Sequence, residues 1–148
     1  MAGESIFERV AECVKLSLLA VPITGIADRV FRAREDAVTA EEGDTLNVVT
    51  EDNSQRSFSD EVDDNELTIA VSIYVRGDVW ETKADVYARQ VHALVMGYGY
   101  AGAGLKLAPP RLTDQDWTGE GGDRTPGKRT MKFAFRFLTL RTDISAQP

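Results

Sequence analysis

Between residues 67 and 76 apolar and more polar positions alternate. Leu67, Ile69, Val71, Ile73 and Val75 are apolar, and Thr68, Ala70, Ser72, Tyr74 and Arg76 fall between them. A period of two predicts a strand with one face on a core, and Gly77 and Asp78 stop it. Two stretches instead carry the period of an amphipathic helix. In 5–20, Ile6, Val10, Cys13, Val14, Ser17 and Leu18 form the apolar stripe, while Glu4, Glu8, Glu12 and Lys15 are polar. Ser5 followed by Glu8 has the spacing of a capping box, and Pro22 and Gly25 end the helix. In 80–96 the stripe is Trp80, Ala84, Tyr87, Ala88, Val91, Leu94 and Val95, with Gly97 placed as a helix C′ residue.

Three weaker strands complete the pattern. Ile26–Arg34 is mixed, Leu46–Thr50 is short, and Thr130–Thr139 sets Phe133, Phe135 and Phe137 against Lys132, Ala134, Arg136 and Leu138. Leu105 and Leu107 are expected at a sheet edge before Pro109-Pro110. Residues 114–129, with four glycines and Pro126, read as a long exposed loop. Trp117 in it has two readings: an exposed interface anchor, or a core side chain. The order predicts an α+β fold, a mainly antiparallel four-stranded sheet with two helices on one face and long loops. One domain spans 1–148, with a flexible tail over about 142–148.

Composition excludes several classes. The chain has 148 residues, 43% apolar and 28% charged, which suits one globular domain and argues against wholesale disorder. A single cysteine, Cys13, rules out an intramolecular disulfide, and a single histidine, His92, makes a Cys/His zinc site unexpected. Cys13 lies on an apolar stripe and reads as a core residue. His92 beside the second stripe has neither a nucleophile nor a carboxylate partner evident. GYGYAGAG (97–104) lacks the context of a phosphate loop and reads as a turn. SDEVDDNE (59–66) resembles a calcium loop in charge but not in spacing. Catalytic, metal and cofactor residues are therefore expected to be none, and no membrane span is expected.

Charge changes the picture most. The net charge is −7, which disfavours nucleic acid and anionic lipid as partners. Residues 35–66 hold twelve acidic residues and only Arg56 as a base, hence −11. Apart from Leu46–Thr50, this segment reads as long loops or a protruding hairpin. Residues 124–141 hold Arg124, Lys128, Arg129, Lys132, Arg136 and Arg141 and no acid, hence +6. In a monomer the two regions neutralise each other or sit on separate solvated faces. In an oligomer the acidic region of one copy meets the basic region of the next, head to tail.

The layout resembles the tail terminator (tail completion) proteins of long-tailed bacteriophages. The resemblance is carried by ESIFERVAECVKLSLLA, by Asp28-Arg29-Val30 ahead of Arg32 and Arg34, and by ELTIAVSIYVRG. It continues through Trp80 and ETKADVYARQVHALVMG, the Trp117 loop, and the closing GDRTPGKRTMKFAFRFLTLRTD. It implies a non-enzymatic virion protein, assembled in the bacterial cytoplasm and sited at the head-proximal end of the tail. Such proteins form a ring, commonly a hexamer, on the tail tube, stop its polymerisation and offer a surface for head joining. The implied partners are further copies of the chain, the major tail tube protein and head–tail connector proteins. A neck or connector-completion protein is the nearest alternative, and a small enzyme or ligand-binding domain a more distant one. The residues expected at an oligomer or tube interface are Asp60, Glu61, Asp63, Asp64, Trp117, Arg124, Lys128, Arg129, Lys132 and Arg136. Charge reversal at Arg129 or Lys132 is expected to weaken assembly.

Overall fold

The computed structural model describes residues 4–35, 42–119 and 126–148. Elements follow as α1 (Ile6–Ala20), β1 (Val30–Arg32), β2 (Thr45–Ser57), β3 (Val62–Val75), α2 (Trp80–Gly97), a 3-10 turn (Tyr100–Ala103), β4 (Arg111–Thr118) and β5 (Gly127–Leu140). The strands form one sheet in the order β1-β2-β3-β5-β4. Every pairing is antiparallel except β1 with β2.

The architecture is α+β, with five strands where the hydrophobic pattern predicts four. The added strand is β4. Residues 114–118, expected as loop, pair with β5 through Asp114↔Lys132 to Thr118↔Lys128. Leu105 and Leu107 do not supply the edge; Leu105 is buried in the core and the edge strand starts only after Pro110. The first strand is confined to Val30–Arg32, because the preceding residues turn through Gly25 and Ala27 at positive φ.

Helix α1 starts as its cap predicts: the Ser5 hydroxyl accepts from the Glu8 N–H at 3.1 Å. The Glu8 carboxylate turns instead to Arg32, which also holds Glu12. Helix α2 carries Gly97 as its last residue, with Tyr98 as the extended cap. Both helices cover one face of the sheet. Leu46, Val48, Leu67, Ile69, Val71, Ile73, Phe133 and Phe135 are fully buried there, and Phe7 of α1 meets Phe137 edge-on at 5.1 Å. Burial of this apolar area is the main source of stability. Cys13 is buried in the same core, which pushes its thiol pKa up.

The acidic segment is the protruding hairpin. Strand β2 buries Thr45–Val48, leaves Val49 half-buried, and is exposed from Thr50 to Ser57. It pairs with β3 out to Ser57↔Asp63, and β5 follows β3 without a register shift to Val62↔Leu140. Beyond the stretch that β1 covers, β2 is therefore an exposed edge, and β2, β3 and β5 run on together to the hairpin turn as an arm. Strands β2 and β4 each carry a bulge at one level of the sheet. The β2 bulge lies between Thr50 and Asp52, opposite Ile69 and Thr68; the β4 bulge lies between Leu112 and Asp114, opposite Phe133 and Lys132. Ile69 and Phe133 are themselves a cross-strand pair.

The tail, expected to fray, is anchored on the arm. Ile6 N–H donates to Ile144 O at 2.8 Å, Leu140 N–H to Ala146 O at 3.0 Å, and the Gln147 amide to Leu138 O at 3.1 Å. No helix among the described residues is long and apolar enough to cross a membrane.

Candidate assembly surface

The face of the sheet opposite the helices is where the two charged regions meet. Cross-strand neighbours share a face, and the register sets acidic β2 and β3 beside basic β5. Lys132 reaches over Ala70 to Glu51 at 2.8 Å. Arg136 binds Asp64 through two hydrogen bonds of 3.1 and 2.6 Å, and Arg56 adds a third at 3.1 Å. Arg111 of β4 lies 3.9 Å from Glu66. At the end of the arm Arg141 bonds Asp63 at 3.2 Å. Asp64 is buried beneath its two arginines, and the Arg136 bond, foremost, holds its carboxyl below the usual range. Lys132 is correspondingly held up by Glu51.

The opposite charges seen along the chain are thus interleaved within one copy. Lys132, Arg136 and Arg141 each take an acid from residues 51–64. Lys128 lies over the Tyr74 ring at 5.7 Å. Arg124 lies outside the described residues. Of the acidic candidates, Asp63 and Asp64 are engaged in these bridges, while Asp60 and Glu61 are exposed at the hairpin turn.

Arg129 is on the helix-covered face. It is only 8% exposed, with Asp85 of α2 at 2.9 Å, the Gln115 side-chain oxygen at 2.6 Å, and its guanidinium stacked on Trp117 at 4.8 Å. Trp117 is 51% exposed, so its second face is open at the β4 edge. Of its two readings, the exposed position holds. His92 is exposed on α2, 6.3 Å from the Phe133 ring. The depression beside it is lined by Ala88, Arg89, Leu112, Gln115, Arg129 and Met131, and places no carboxylate against the imidazole. No group of three His, Cys, Asp or Glu side chains among the described residues could hold a metal ion.

Among the described residues the most exposed large hydrophobic side chain is Phe58, at 66%. It sits on the hairpin turn, with its N–H donating to Val62 O at 2.9 Å. Arg141 braces this turn from β5's end. Its side chain donates to Ser57 Oγ and Ser59 O, both at 2.5 Å, and its backbone N–H to Glu61 O at 2.8 Å. Beside the arm runs a groove of about 500 Å³, lined by Phe58, Lys106, Leu107, Ala108, Arg136, Phe137 and Leu138 with Asp64, Gln147 and Pro148.

Neither protein-family models nor curated proteins match this sequence.

Phe58 and Arg141 are absent from the residues expected at an interface, and of the groove's lining only Asp64 and Arg136 were among them. One signal was present: Phe58 is the lone aromatic in an otherwise polar run, EDNSQRSFSDE. A large apolar residue with no periodic partner is out of place in a solvated turn, unless something else covers it.

Proposed function

We propose that this chain is a non-enzymatic structural subunit that forms a homo-oligomeric ring, a hexamer, on the end of a phage tail tube. The ring stops tube polymerisation and offers the surface on which a head connector docks, so its partners are its own copies, the tube protein and the connector. The observation that carries this reading is the braced arm. Strands β2, β3 and β5 run together to a turn that carries exposed Phe58, and Arg141 bonds Ser57, Ser59 and Glu61 on either side of it. A preorganised apolar tip loses little conformational freedom on association, which is what an adaptor surface requires. Exposed Trp117, at the other edge of the sheet, offers a second anchor.

The charge separation no longer supports the reading as it did along the chain, because its acids and bases pair inside one copy. Contact between copies is accordingly assigned to exposed apolar groups and to the charges left over. Electron microscopy of a phage lacking this gene tests the function. Abnormally long, headless tails are expected; normal-length tails that fail to join heads would overturn it in favour of a neck protein.

A further inference from the structure

We infer that the depression between α2 and strands β4 and β5, at Arg89, His92 and Gln115, binds a carboxylate carried on a short aliphatic stem. The inference does not rest on the assembly reading, and either can fail without the other.

Arg129 closes one end of the depression. It is buried, and its guanidinium donates to Asp85 at 2.9 Å and to the Gln115 side-chain oxygen at 3.1 and 2.6 Å. An arginine only donates, so the Gln115 oxygen must face it and the amide NH2 must turn away. That NH2 has no hydrogen bond among the described residues. The Arg89 side chain is 73% exposed, and its ion pair with Asp85 spans 3.6 Å, beyond hydrogen-bond reach. His92 is exposed and makes no hydrogen bond among the described residues.

Two guanidiniums thus share the one carboxylate of Asp85, which is not in the lining. A positive charge is left over beside unspent N–H donors, and the lining holds no acid to meet it. An oxyanion satisfies both, through charge-assisted hydrogen bonds.

The floor sets the rest of the ligand. Ala88 and Met131 are buried there and Leu112 is half-buried, which favours an apolar stem over a bare inorganic anion. The volume, about 230 Å³, is below the roughly 300–1,000 Å³ of pockets that enclose a whole drug-sized molecule. A carboxylate with a few methylenes fits: a free short-chain acid, or an acidic side chain of another protein.

His92 is the chain's single histidine, so its imidazole proton resonances report on the site directly. Sodium butyrate is titrated into the full chain at constant ionic strength, with butyramide as the neutral control. A saturable shift of the His92 resonances with butyrate, absent with butyramide, is expected. In Arg89→Gln the dissociation constant should rise about fivefold or more, with an unchanged thermal melt because the side chain is exposed. No saturable shift, equal shifts with both compounds, or unweakened binding in Arg89→Gln would overturn the site. The acetylated, amidated tripeptide glycyl-glutamyl-glycine separates the two sources. Binding at least as tight as butyrate assigns the site to a protein side chain; weaker binding or none assigns it to a free acid.

Discussion

Arg136 donates two hydrogen bonds diagonally across the sheet to Asp64, two positions along β3 from its direct partner Glu66. The carboxylate is buried and the guanidinium half-exposed. This pair joins the most acidic and most basic parts of the sequence inside one molecule.

Its first consequence is a pH dependence. Asp64 is held below its ordinary value of 3.8, chiefly by Arg136. A carboxyl depressed in the folded state contributes stability above its unfolded pKa and loses it as pH falls through the folded one. Wild-type stability should therefore drop as the pH falls below about 3.8. Asp64→Asn should be less stable at neutral pH and show a shallower acid limb in urea unfolding. An unchanged acid limb would remove Asp64 from the account.

Arg129 should behave as a structural residue. Arg129→Ala removes bonds to Asp85 and Gln115 and the cation stacked on Trp117. A loss of about 1–3 kcal/mol is expected in chemical denaturation, with a changed Trp117 emission. A charge reversal that altered assembly while leaving stability and fluorescence intact would contradict this placement.

Gly127 is required by contact rather than by φ. A Cβ there would lie 2.0 Å from the Trp80 ring, so the first side chain of β5 would meet the first residue of α2. Gly127→Ala should destabilise by about 1–3 kcal/mol or more through overpacking. Thermal unfolding measures it.

Tyr87 donates to the buried Asp44 carboxylate at 2.5 Å, and Lys83 lies 3.2 Å from the same oxygen. Burial, foremost, and the Asp44 bond raise the phenol pKa above 10. Tyr87→Phe should cost about 1–3 kcal/mol by leaving the buried acceptor under-satisfied. In the wild type, ultraviolet titration should show two tyrosines resisting ionisation, Tyr87 and the buried Tyr100, and only one in this variant.

The elements legible in the sequence are those with one wet and one dry face. Helix α1, helix α2, β3 over Leu67–Val75 and the Phe133–Phe137 stretch all show their period because the core selects it. Strand β2 beyond Thr50 and strand β4 do not. Glu51–Ser57 is exposed on both faces and β4 mostly so; backbone pairing holds them, and no alternation marks them. The charges failed for a different reason. A running sum along the chain cannot see register, and register places Lys132 beside Glu51 and Arg136 beside Asp64. Phe58 was visible as an isolated aromatic, but its brace is Arg141, 83 positions away.

The paired bulges flanking Ile69 and Phe133 bear on what this molecule cannot become. A straight rim of free N–H and C=O groups is a template for endless strand addition. Here the β4 rim and the part of β2 that β1 leaves open are interrupted at the same height, at Leu112–Asp114 and at Thr50–Asp52, and acids stand in both interruptions. Copies pairing along these two stretches would have to skip a residue on each side. Strand addition along these two stretches would break register at both, which steers any pairing of copies toward side chains.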